Sequence, residues 1–144
     1  MVACGSRGKR ARFLHAGHRM ITAAMLKLIA EAGEGVLLLI EGLEESEFTR
    51  SRLTRQEVQR QLRQMADMLE SLPAAAHQAM PEIDWPGWRL LAQVLRTSRS
   101  AAAATAGGAP DDATWFAARA LVPATLSWLR VYRDSTPALF DFKP

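Results

Sequence analysis

The stretch MITAAMLKLIAEAGEGVLLLIEG, Met20 to Gly42, decides the fold class. Ile21, Met25, Leu28, Ile29, Ala32, Val36 and Leu39 recur at three- and four-residue steps, the spacing that lines one face of a helix running from about His18 to Gly42. Gly33 and Gly35 each weaken that helix by about 1 kcal/mol relative to alanine, which predicts close approach of a neighbour or a kink. The pattern stops at Glu41-Gly42, and glycine is the usual left-handed helix terminator.

Working outward from this helix, the same period returns three times. After an acidic connector, Ser46 is placed to cap a turn around Phe48. Thr54-Arg55-Gln56-Glu57 reads as a capping box, and Val58, Leu62, Met65, Leu69 and Leu72 form the stripe of a second long helix ending at Pro73. Residues 74–80 form a short linker helix. Asp84, with Pro86 in the first turn, starts a third long helix that buries Trp85, Trp88, Leu91 and Leu95 and runs through alanines 101–104 to Gly107-Gly108. Pro110 with Asp111 or Asp112 opens a last helix through Trp115, Phe116, Leu121, Leu126 and Leu129, with Pro123 expected to kink it. The expected fold is all-α, an up-and-down bundle of four long helices plus a short linker helix. It divides into a basic N-terminal extension over 1–19, a helical domain over 20–134 and a tail over 135–144.

Composition supports this and narrows the function. Alanine, leucine, arginine, glutamate and glutamine outweigh the β-branched residues that favour strands. The net charge of +3 is uneven: Arg7, Lys9, Arg10, Arg12 and Arg19 stand in the first 19 residues without an acid, so the remainder carries −2. The body therefore lacks the gross charge bias of a nucleic-acid-binding domain. Cys4 is the single cysteine, which rules out an internal disulfide and fits a reducing compartment. No apolar run of signal-peptide length follows the first basic residues, and Val36–Ile40 is far too short to span a bilayer, so a cytoplasmic location and no membrane contact are expected.

Residues Met20 to Arg133 resemble HepT-like members of the HEPN superfamily, the toxin half of nucleotidyltransferase–HEPN gene pairs. The resemblance is carried by Ile40-Glu41-Gly42 ending the first helix, Glu47-Phe48 leading into the second, Pro81-Glu82-Ile83-Asp84-Trp85 before the third, and Trp115 with Leu121-Val122-Pro123 in the last. It implies an HEPN-like bundle, a homodimer, a nucleotidyltransferase antitoxin as partner, and metal-independent ribonuclease chemistry at the end of the third long helix. There the family carries Arg, four to six spacers, His, one spacer and Tyr. The imidazole moves a proton at the ribose, the guanidinium holds the phosphate, and the tyrosine accepts adenylyl groups from the partner.

This chain departs from that pattern. The motif arginine is Arg96 or Arg99. The histidine and tyrosine positions then fall near Ala101 and Ala103, or near Ala104 and Ala106. No histidine follows His77, and the only tyrosine is Tyr132. A positioned acid–base group is worth about 10²–10⁴-fold in rate, and an arginine with a pKa above about 12 cannot replace it. No catalytic residue is therefore assigned; Arg96, Ser98, Arg99 and Ser100 remain as a phosphate- or RNA-binding segment. Arg10-x4-His15 and Arg12-x5-His18 match the motif only as text, before the domain. His15-x-x-His18 supplies two ligands where a metal site needs more, so no metal and no cofactor is expected. The Arg/Gln face of residues 55–64 reads as solvated helix surface, His77 as a surface residue, and the four tryptophans as core or dimer-interface anchors. The leading expectation is a non-catalytic homodimeric binding protein. The alternatives are an atypical endoribonuclease using Arg96 or Arg99, and an RNA-binding protein that does not cleave, aided by residues 1–19.

Overall fold

A computed structural model describes residues 7–100 and 109–140, with side chains described over 19–98 and 110–140. Among these residues every regular element is helical. In chain order they are α1 (Arg7–Ile40), α2 (Glu45–Arg50), α3 (Arg52–Ser71), α4 (Ala74–Ala79), α5 (Trp85–Ser100) and α6 (Ala109–Phe116). A π-helical turn (Ala117–Leu121), α7 (Val122–Ser135) and a 3₁₀ turn (Pro137–Leu139) follow. α1 packs on α3 and α7, and α5 packs on α3 and α6. No described helix is long and apolar enough to cross a membrane.

Local chemistry explains the boundaries. α1 ends where Gly42 takes a φ of 72°, the left-handed conformation its sequence position predicts. α2 is capped reciprocally: the Glu47 carboxylate accepts the backbone N–H of Glu44 at 2.9 Å. The expected capping box at Thr54–Glu57 is corrected. α3 already begins at Arg52, Ser51 Oγ lies 2.7 Å from Thr54 Oγ1, and the Glu57 side chain turns to Arg60 and Gln61 instead. Asp84 starts α5 as expected, its Oδ1 accepting the Gly87 N–H at 2.9 Å. A Cβ at residue 87 would press on that same carboxylate, which would have to shift to make room. Position 19/20 lies inside α1 without a break in the helix.

Pro123 disturbs the last long helix through a change of hydrogen-bond step. Proline lacks the N–H that would reach the carbonyl of Arg119, and its ring would crowd that carbonyl. The π turn just before it widens the backbone, with the Val122 N–H donating to Ala117 O, five residues back.

The core is apolar and continuous. Phe48, Val58, Leu62, Met65 and Leu95 are fully buried, and Leu26, Ile29, Val36 and Ile40 of α1 close over them. The stripes expected on α3 and α5 are the ones buried, although Trp85 is only half-buried. The stripe expected on α1 is corrected. Its buried side is Thr22, Ala23, Leu26, Ile29, Gly33, Val36 and Ile40, whereas Ile21 and Leu28 point to solvent. Residues 20–40 are apolar around most of the helix, so a three- and four-residue step fits more than one rotation, and packing against α3 and α7 selects among them. Trp88 is buried and donates to Thr125 Oγ1 at 2.9 Å; Trp115 lies 5.1 Å from the Phe48 ring. Trp128 is partly exposed beside Tyr132.

A methyl group added at Gly33 would stand 2.8 Å from Leu126 Cδ2 on α7. Gly33→Val should therefore destabilise the protein by about 1–3 kcal/mol in urea unfolding, the usual range for overpacking. Combining it with Leu126→Ala should cost less than the sum of the two single changes. Additive costs would mean that residues 33 and 126 do not share the contact.

Candidate functional site

The segment singled out by the sequence lies at the C-terminal end of α5. Arg96 is exposed, with no ion-pair partner among the described residues. Thr97 Oγ1 donates to the carbonyls of Gln93 and Val94 at 3.1 and 2.9 Å, and Ser98 Oγ donates to Leu95 O at 3.0 Å. Both hydroxyl protons are thus directed back along the helix, the habit of Ser and Thr in helix interiors. Arg99 and Ser100 continue the helical backbone, but their side chains lie outside the described residues. So do Ala101, Ala103, Ala104 and Ala106.

The imidazole and phenol side chains among the described residues sit elsewhere. His77, on α4, stacks on Trp85 at a centroid distance of 4.0 Å and an interplanar angle of 13°. Its Nε2 lies 2.9 Å from Leu69 O, and because a carbonyl can only accept, the nitrogen carries the proton. The ring thereby gives a second donor to Leu69 O, which also accepts the Leu72 N–H at 3.3 Å. The surface reading of His77 is corrected: it is half-buried. Trp85 opens α5 and Arg96 comes eleven residues later, about 16 Å along the axis, so the His77 imidazole does not reach the Arg96 end. Tyr132 is buried in α7 with its hydroxyl enclosed.

A small cavity adjoins His77, bordered by Glu70, Trp85, Trp88 and Arg89, with a volume of about 30 Å³. That holds a water molecule and is an order of magnitude below the size of pockets for nucleotides or similar ligands. Among the described residues no three His, Cys, Asp or Glu side chains gather as a metal site.

Sequence reasoning missed a polar inlay where α3 meets the last helix. Arg55 Nε lies 3.6 Å from Asp111 Oδ1, and Gln59 Nε2 donates to the same oxygen at 3.3 Å. The side chains of Arg55 and Asp111 are only 15% and 16% exposed. The solvated reading of the 55–64 face is therefore corrected: Arg55 and Gln59 form one polar step, one turn apart on α3, that closes on α6. Their i,i+4 spacing is visible in the sequence, but nothing there names Asp111 as the partner. Further along the last helix, the Arg119 guanidinium lies 5.4 Å from the Trp115 ring centre. Also on α3, Arg60 donates to Glu57 at 2.7 and 3.0 Å, and Gln61 donates to it at 3.0 Å. Those bonds hold the Glu57 carboxyl down at about 2 and raise the Arg60 guanidinium.

No family model matches the chain, and neither a curated protein nor a solved structure is significantly similar to it.

Replacing Asp111 with Ala should lower stability by about 1–3 kcal/mol in chemical unfolding, because Arg55 is left in a largely enclosed position without its acceptor. An unchanged unfolding midpoint would show the pair to be ornamental. Glu57 gives a pH prediction. Its pKa in the folded chain lies below the unfolded value of 4.5, so its support is complete above that pH and is lost as the pH falls towards about 2. Carboxyl carbon chemical shifts should show Glu57 still ionised at pH 3.5, and Arg60→Ala should move its midpoint upward.

Proposed function

We propose that this protein is a HepT-like helical protein, built as an up-and-down bundle of four long helices, that acts by binding rather than by cleaving RNA. In this reading it forms a homodimer and associates with a nucleotidyltransferase partner, and the Arg96 end of α5 contacts phosphate. The observation that carries the proposal is the separation of charge from proton chemistry. The exposed guanidinium of Arg96 stands at one end of α5, while His77 is tied to the other and Tyr132 is enclosed in α7. Phosphate attraction survives such a separation, because an arginine needs only to be charged and accessible. Transfer of the ribose proton does not, because an acid–base group has to lie within hydrogen-bonding reach of the proton it moves. The back-bonded hydroxyls of Thr97 and Ser98 support the same reading, since neither is a base near neutral pH.

Purified protein incubated with tRNA and mRNA in EDTA should leave both intact. In filter binding the wild type should hold RNA or polyphosphate more tightly than an Arg96→Ala/Arg99→Ala variant. Cleavage by the wild type that disappears in the double variant would replace this reading with that of an atypical ribonuclease. Co-expression with a nucleotidyltransferase should leave residues 96–110 without an AMP adduct by mass spectrometry, because that segment contains no tyrosine.

A further inference from the structure

We propose that the outer face of the last helix is a docking surface for an amphipathic helix whose polar edges are acidic. The surface stands apart from Arg96, and its evidence is independent of any likeness to HepT.

Phe116, Ala120, Ala124, Trp128 and Val131 follow one another at steps of four, four, four and three along α6, the π turn and α7, and all five are exposed. Phe116 is 68%, Trp128 37% and Val131 50% open to solvent. The spacing puts the five on one face about 22 Å long. Neither neighbouring helix covers it. Thr125, three residues before Trp128, meets Trp88 of α5, whereas Leu126 lies against Gly33 of α1. The stripe runs between these two lines of contact, on the side away from the core.

Its relief fits a helix. Phe116 and Trp128 stand on either side of a shallow stretch formed by Ala120 and Ala124. An apolar side chain from a facing helix fills such a gap as a knob fills a hole.

Charge names the partner's polar residues. Between 113 and 133 the chain holds Arg119, Arg130 and Arg133 and no carboxylate. None of these three guanidinium groups forms an ion pair among the described residues. Arg130 and Arg133, four and seven residues after Leu126, edge the stripe on the α1 side, and Arg119 lies over the Trp115 ring near its other end. Asp112 and Asp134 stand beyond the two ends of the stripe. An apolar strip edged by cations alone is complementary to apolar residues flanked by glutamate or aspartate. A strand of RNA would have to stack bases on Phe116 and Trp128, which lie about 18 Å apart with only alanine between them on this face. A lipid surface gains from bulky apolar side chains along a whole strip, and the alanines supply none.

The test uses the full chain and a labelled synthetic helix about four turns long, with leucine at positions a and d, glutamate at e and g and alanine elsewhere. Fluorescence anisotropy should show binding that weakens as salt rises, and a peptide with lysine in place of the glutamates should bind at least about tenfold more weakly. Phe116→Glu/Val131→Glu should weaken binding of the acidic peptide at least about tenfold, with helix content and melting unchanged because both side chains face solvent. Arg119→Ala/Arg130→Ala should flatten the salt dependence, and Arg96→Ala should leave peptide binding as it is. An acidic peptide that fails to bind at about 1 mM, or binds no better than the lysine peptide, overturns the proposal. So does binding that survives both glutamates or is lost with Arg96. Capture of poly(U) or of phosphatidylglycerol vesicles that depends on Phe116 and Val131 would replace helix docking with nucleic-acid or lipid binding. Self-association abolished by the same double variant would make the face an interface between copies and equally overturns the proposal. None of these outcomes alters the EDTA cleavage result, and phosphate binding through Arg96 stands or falls separately.

Discussion

The stripe from Leu26 to Ile40 on α1 has to seat against α3 and α7 at once, and the rest of the bundle is arranged around that double contact. Helices approach within about 8–10 Å only where the facing side chains allow it. On the α7 side the allowance is made at Gly33, where the absent Cβ leaves room for Leu126. On the α3 side it is made at Gly35, where Gln61 occupies the space a side chain would need. Each glycine lowers helix propensity by about 1 kcal/mol, yet α1 runs unbroken through both, so tertiary packing outweighs local preference here. With α1 fixed, α2 carries Phe48 and α3 carries Met65 into the centre, and α5 completes the enclosure with Trp88 and Leu95.

Against this apolar packing, a few polar contacts fix rotation and register. Trp88 Nε1 donates to Thr125 Oγ1, and that hydroxyl donates onward to Leu121 O at 2.8 Å. The chain of bonds ties α5 to α7 immediately beside the π turn and Pro123, where the last helix has given up its regular step. The Arg55–Asp111–Gln59 cluster does the same where α3 meets α6. Apolar contact alone tolerates sliding, whereas an enclosed donor left without its acceptor costs about 1–3 kcal/mol, so these inlays discriminate between neighbouring registers.

Most of the helices were legible in the sequence because their signals are local. Gly42, Asp84, Pro73 and the stripes of α3 and α5 act through residues three or four apart, within reach of pattern reading. The rotation of α1 was not legible, since apolar residues around its circumference satisfy several registers equally. The start of α3 was misread because Glu57 has the capping-box spacing but bonds Arg60 and Gln61 more favourably. The candidate site was legible as an absence: no histidine beyond His77 and no tyrosine but Tyr132. What the sequence could not supply was position. His77 reads as a surface residue until the fold brings Leu69 O and the Trp85 ring against it, and Asp111 reads as a helix cap until Arg55 arrives from α3.

The misreading of α1 has a physical origin. A helix covered on one face needs a single apolar stripe, and residues 22–40 provide it. Ile21, Leu28 and Leu38 exceed that need, and exposing them is unfavourable by about 25 cal/mol for each Å² of apolar surface left in water.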